Sequence, residues 1–181
     1  MQTKKLKKMS GRYTIPVSGL KEGQHYFDFK INKELFEQFE ESEVREGELI
    51  AVVNAEKSST HIDLIIRIRG TLSIQCDRCL GIFSLPVDCK NRLLVKLGKV
   101  RDEDDPDIIT IHAEEPVLDL KQYFYEYILL ALPIQRIHPD DSEGNSTCDP
   151  HMLEKLQEHI VNDIDEKDPR WDELKKLANN N

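Results

Sequence analysis

The chain has 181 residues, enough for one domain of ordinary size with a real hydrophobic core. It carries 34 acidic against 25 basic residues, a formal net charge of -9, which argues against indiscriminate binding to nucleic acid. No stretch reaches the ~20 apolar residues of a membrane helix, Tyr127 to Ile134 being the longest candidate; four cysteines without an export signal fit reduced thiols in a soluble, cytoplasmic protein.

Residues 1–12 form a basic tail holding Lys4, Lys5, Lys7, Lys8 and Arg12 and no acid. The spacing then predicts a strand over His25 to Ile31, where apolar and polar residues alternate. Asn32 is placed to cap a short helix with Leu35, Phe36 and Phe39 on one face. A second strand is expected over Glu48 to Ala55, closed by the polar turn Glu56-Lys57-Ser58-Ser59.

The next stretch carries the strongest pattern. Ile62, Leu64, Ile66, Ile68, Leu72, Ile74 and Cys76 fall on even positions; Phe83, Leu85, Val87, Cys89, Leu93, Val95 and Leu97 fall on odd ones. A period of two on both sides of a break means strand, turn, strand, each strand with one apolar face. Both arms exceed the usual strand of about 5–6 residues, so Gly70 is expected to mark a bend or bulge. At the tip stands Cys76-Asp77-Arg78-Cys79-Leu80-Gly81. Two thiols three positions apart can face one metal ion, with Gly81 giving the backbone room to fold tightly. The rival reading of Cys-x-x-Cys is a redox site, but that chemistry wants a helix after the first thiol. Here a strand with Pro86 follows. Cys89, mid-strand on the apolar face, reads as packing.

After an acidic stretch opened by Asp102-Glu103-Asp104-Asp105, a short strand is expected over Asp107 to His112. Asp119 and Gln122 suggest a capping box, with Leu118 and Tyr123 as a hydrophobic staple. Leu120, Tyr123, Phe124, Tyr127, Ile128 and Ala131 repeat at helical spacing up to Pro133, giving a helix to cover the sheet. His138 and Cys148 flank the polar loop 140–146, and Cys148 directly precedes a helix start, where dipole and free amides favour a thiolate. With Cys76 and Cys79 they make a Cys₃His set of the kind structural zinc accepts. His151 is the substitute ligand, since Cys148-x-x-His151 repeats the first spacing. Asp149-Pro150 and Asp168-Pro169 each look like an N-cap followed by proline, opening short helices that bury Met152, Leu153, Leu156 and Ile160, then Trp171, Leu174 and Leu177.

The expected fold is α+β: a curved antiparallel β-sheet with a long zinc-knuckle hairpin, covered by one main helix and short C-terminal helices. The expected division is a basic flexible tail at 1–12, one α+β domain at 13–160, and an acidic linker with a short docking helix at 161–181. Alternation puts Arg67, Arg69, Lys90, Arg92 and Lys96 on the face opposite the apolar one, a basic strip to which Arg78 at the tip adds.

Cys76-Asp77-Arg78-Cys79-Leu80, Asp119-Leu120, Glu126 with Leu129-Leu130-Ala131-Leu132-Pro133, His138, Cys148 and Asp168-Pro169-Arg170-Trp171 with Leu174 together give a pattern that resembles a bacterial family, the YceD-like proteins of large ribosomal RNA subunit accumulation. The resemblance runs from about Tyr13 to Leu177. It implies a non-enzymatic role in ribosome biogenesis. The partner would be large-subunit ribosomal RNA, a pre-ribosomal particle or a ribosomal protein, met by Arg67, Arg69, Arg78, Lys90, Arg92 and Lys96, with no membrane and no small-molecule substrate. Two other classes stand beside it. One is a protein-interaction module that never touches RNA. The other is a zinc-dependent RNA hydrolase, which would need an open coordination position and a base such as Asp140, Asp141 or Glu143.

Overall fold

The computed structural model describes residues 12–40, 42–99, 105–112 and 114–160. In chain order the elements are β1 (Thr14–Pro16), β2 (Gly23–Ile31), α1 (Lys33–Phe36), β3 (Glu46–Lys57), β4 (His61–Gln75), β5 (Ile82–Leu97), β6 (Ile108–Ile111), β7 (Val117–Asp119), α2 (Lys121–Leu130) and α3 (Pro150–Glu158). The basic tail through residue 11 and the helix expected at Asp168-Pro169 lie outside the described residues.

Alternation builds the main sheet, of order β2-β3-β4-β5-β6. Leu49, Ala51, Val53 and Ala55 of β3 face the same side as Ile62, Leu64, Ile66 and Ile68 of β4 and Leu93 and Val95 of β5, all buried. Each large aliphatic side chain taken fully from water contributes about 1.5–3 kcal/mol before ordering costs. Helix α2 lies over this side: Leu120, Phe124 and Ile128 are fully buried, and the Phe124 ring meets Phe29 of β2 at 5.3 Å and Tyr13 at 6.1 Å between centroids. Helix α1 begins as its sequence dictates, with the Asn32 side chain accepting from the Glu34 amide at 3.1 Å.

Five features depart from the sequence reading. The sheet is mixed, because β6 runs parallel to β5, pairing Leu94 with Ile108 and Leu97 with Ile111. A second, two-stranded sheet joins β1 to β7, pairing Ile15 with Leu118; three-residue strands leave no readable period. Gly70 is not a bulge, since pairing stays one-to-one through Leu49↔Gly70 and Gly70↔Val87. Glycine is needed there because φ is +154° and a Cβ would fall 2.1 Å from the Glu48 carbonyl oxygen. No capping box forms: Asp119 accepts from the Lys121 amide at 2.8 Å, but Gln122 turns forward to Glu126 at 2.7 Å. Helix α3 has its expected Asp149 cap and leading proline, yet Leu156 and Ile160 are exposed, while Met152 and Leu153 are half-buried.

Candidate metal centre

The β4–β5 hairpin carries Cys76 and Cys79 at its tip, as its alternation requires: Gln75 pairs with Ile82, and Cys76 follows on the buried face. The turn closes through the Leu80 amide donating to the Cys76 carbonyl at 3.0 Å and the Cys76 amide to the Gly81 carbonyl at 2.8 Å. Left-handed backbone falls on Leu80, at φ 61°, and not on Gly81. Gly81 serves differently. A Cβ there would touch the His138 ring at 3.4 Å and Cys79 Sγ at 3.5 Å, so anything larger would press on the imidazole.

The segment after α2 comes to this tip and is tied to it by polar contacts. The Asp77 amide donates to the Arg136 carbonyl at 2.7 Å, and the Arg136 amide donates to the Asp77 carboxylate at 2.7 Å. The Arg136 guanidinium continues to Glu43. The His138 ring lies against Phe83, with centroids 4.8 Å apart. Beyond it the loop turns back on Asp141, which accepts from the amides of Glu143 and Asn145, and Thr147 donates to the Pro139 carbonyl at 2.7 Å. That delivers Cys148 just before α3.

Cys76, Cys79, His138 and Cys148 therefore meet, their ligand atoms all within 4.8 Å of one another. Cys76 Sγ lies 3.7 Å from Cys148 Sγ, and His138 Nδ1 lies 3.4 Å from Cys79 Sγ and 3.7 Å from Cys148 Sγ. A tetrahedral ion with metal–sulfur bonds of about 2.3 Å separates two sulfurs by about 3.8 Å. The donor set fits such an ion in size and in chemistry. All three thiols are buried, the imidazole partly so. Burial alone would push the Cys76 thiol up. Amide hydrogen bonds from Cys79 and Arg78, with His138, overcome this and bring it down to about 6. Burial likewise opposes ionisation of Cys148, but the Arg78 guanidinium and the Ser146 hydroxyl take its thiol below the usual value. His138 is raised, chiefly by its hydrogen bond to Cys76. Thiolates held this way are the form that binds metal.

The remaining candidates fall elsewhere. His151 is exposed in the first turn of α3, outside the cluster. Cys89 is half-buried in β5 opposite Ile68, and burial pushes its thiol up, as suits a packing residue. Arg67, Arg69, Lys90, Arg92 and Lys96 do lie on the outward face of β4 and β5, and the three arginines are held by aspartates there. Arg67 and Arg69 both hold Asp88, at 2.9 Å and 3.1 Å, and Arg92 grips Asp63 at 2.7 Å. Arg69 stands directly opposite Asp88, whereas Arg67–Asp88 and Arg92–Asp63 are diagonal cross-strand pairs, since Arg67 is opposite Lys90 and Asp63 opposite Leu94. Arg78 is not on that face; its guanidinium turns to Cys148 and Ser146. Sequence reasoning missed the apolar part of the outward face: Tyr26, Ile50 and Val52 are 59%, 52% and 42% exposed. Their alternation in β2 and β3 was the signal, because inward positions were already filled by odd-numbered residues.

No helix among the described residues is long and apolar enough to cross a membrane. No curated protein matches the chain, and no solved structure does. A family model does match, that of large ribosomal RNA subunit accumulation protein YceD, over residues 64–178. The match begins at β4, not near Tyr13, and includes all four cluster residues. Well over half of the chain lies inside it, and the chain belongs to the YceD family.

Proposed function

We propose that this protein is a non-catalytic factor in large-subunit ribosomal RNA accumulation whose hairpin tip is locked by one structural zinc ion. Cys76, Cys79, His138 and Cys148 would be its ligands, making the tip a zinc knuckle. The observation that carries this reading is the convergence of those four donors within 4.8 Å, inside the span matched by the YceD family. Four protein ligands complete a tetrahedral ion and leave no open position for substrate, which favours a structural role over a hydrolytic one. Asp141, one of the bases a hydrolase could use, is taken up in holding its own loop. The bound ion would fix the β4–β5 hairpin to the post-α2 loop and stiffen the outward face. Arg67, Arg69, Lys90, Arg92 and Lys96 are the residues we assign to RNA contact. Together with Asp63 and Asp88 they leave that strip net positive on a chain that is otherwise acidic, which steers phosphates to it. The flanks, 1–12 and 161–181, would act as a basic tail and a docking helix, and the site of action would be cytoplasmic.

Ultraviolet crosslinking in cells, followed by mapping of crosslinked peptides, tests the assignment. Large-subunit ribosomal RNA attached to peptides of β4 and β5 is the expected result. A second reading, a protein-interaction module, is favoured by one observation: Tyr26, Ile50 and Val52 form an exposed apolar patch beside arginines already paired with aspartates. Crosslinks to a ribosomal protein, with none to RNA, would select it.

A further inference from the structure

Arg78 sits between the two hairpin cysteines and was expected to face RNA, yet its guanidinium points into the cluster. Nη2 donates to Cys148 Sγ at 3.4 Å and to the Ser146 hydroxyl, which itself accepts from the Cys148 amide at 3.3 Å. Its own backbone amide lies 3.4 Å from Cys76 Sγ. Nε is buried and has no partner among the described residues. A half-buried cation is thus aimed at sulfur.

The reason is electrostatic. A divalent ion with three thiolates and a neutral imidazole carries one net negative charge. The thiols are buried, Cys76 fully and Cys79 and Cys148 at 4% and 3% exposure. Burying a net charge is costly unless a counter-charge is placed beside it. We infer that Arg78 is a positioning residue of the metal centre: its guanidinium balances the charge of the loaded Cys₃His site and hydrogen-bonds the Cys148 sulfur, making the occupied centre neutral. Arginine suits the task because it stays charged and spans Cys148 and Ser146 with a planar group. Hydrogen bonds to ligand atoms tune metal affinity in this way, and their loss commonly costs about 10–100-fold.

This inference rests on the metal reading above, and the experiment separates the two. The full chain is stripped of metal, titrated with Co²⁺, and followed by its thiolate-to-metal charge-transfer band; release of bound Zn²⁺ to a chelator is timed separately. Parent, Arg78→Gln, Arg78→Lys and Ser146→Ala are compared. Arg78→Gln is expected to weaken Co²⁺ binding about 10–100-fold, speed zinc release and move the charge-transfer band to longer wavelength, since a donor to sulfur has been removed. Arg78→Lys should recover most of the affinity, because the charge is kept, and Ser146→Ala should fall between parent and Arg78→Gln. Equal affinity, release and band position in parent and Arg78→Gln would overturn the role of Arg78 while leaving the metal site standing. Loss in Arg78→Lys equal to that in Arg78→Gln would also overturn it, showing that shape and not charge matters. A parent that takes up neither ion would bring down the metal reading and this inference together.

Discussion

The two ends of the β4–β5 hairpin's chemistry are built on opposite plans. At the tip the three thiols are taken out of water, and the groups around them are positioned by specific neighbours: Asp77 by Arg136, Cys148 by Arg78 and Ser146, His138 by Phe83. Along the outward face, charges stay in solvent and settle with the nearest opposite charge, Asp88 between Arg67 and Arg69, Asp63 with Arg92. Exposed pairs of this kind are screened and contribute little to stability. The tip therefore concentrates energy in a few irreplaceable atoms, and the face spreads a long-range potential over many interchangeable ones.

That contrast can be broken most forcefully at the tip. Removing the ion with a strong chelator should destabilise the chain by about 4 kcal/mol when free zinc had stood a thousandfold above its dissociation constant. Cys76→Ser should make chelator and no-chelator melting curves coincide. Next in size is Gly70→Ala, midway between tip and strip. The new methyl group would meet the Glu48 carbonyl, so destabilisation at the upper end of about 1–3 kcal/mol is expected by denaturant titration. Metal stoichiometry should stay unchanged, which separates strain in the sheet from damage at the site. On the face the effect should appear in binding, not folding. For single-stranded RNA, Lys90→Ala and Arg92→Ala should each flatten the slope of log affinity against log salt by about 0.7, with melting temperature nearly constant. An unchanged slope would take those residues out of the phosphate contact.

The smallest effect expected is a pH dependence. Its hydrogen bonds from Arg67 and Arg69 hold the Asp88 carboxyl down at about 2, below its unfolded value. A depressed carboxyl stabilises the fold above its unfolded pKa and loses that contribution as pH falls through the folded one. Asp88→Asn should therefore lower stability slightly at neutrality, where the contribution is fully present, and make less of the loss between roughly pH 4 and pH 2, so that variant and parent converge at the acid end.

What the chain discloses before folding follows the same division. The alternation over Ile62 to Leu97 was enough to place the hairpin, its two faces and the thiols at its tip, because a period of two survives any tertiary context that buries one face. The approach of His138 and Cys148 could be read only from residue chemistry and family resemblance, since no local rule specifies that a loop 59 residues away will hydrogen-bond to Asp77. The direction of β6 was invisible, as Ile108 to Ile111 reads the same parallel or antiparallel. Pairing of the arginines with Asp88 and Asp63 was implicit in the register, but making opposite charges direct or diagonal neighbours needs both strands aligned to the residue. Arg78 was misplaced for a plainer reason: a cation at a turn is usually solvated, and nothing in Cys-Asp-Arg-Cys says which way it folds.

The most direct test of the account is the metal content of full-length protein purified without a histidine tag, measured beside Cys79→Ser. The account predicts about one zinc per chain in the parent and none in the variant, with the parent's stability falling on chelation. A parent that is free of metal, fully folded and indifferent to chelator would contradict it.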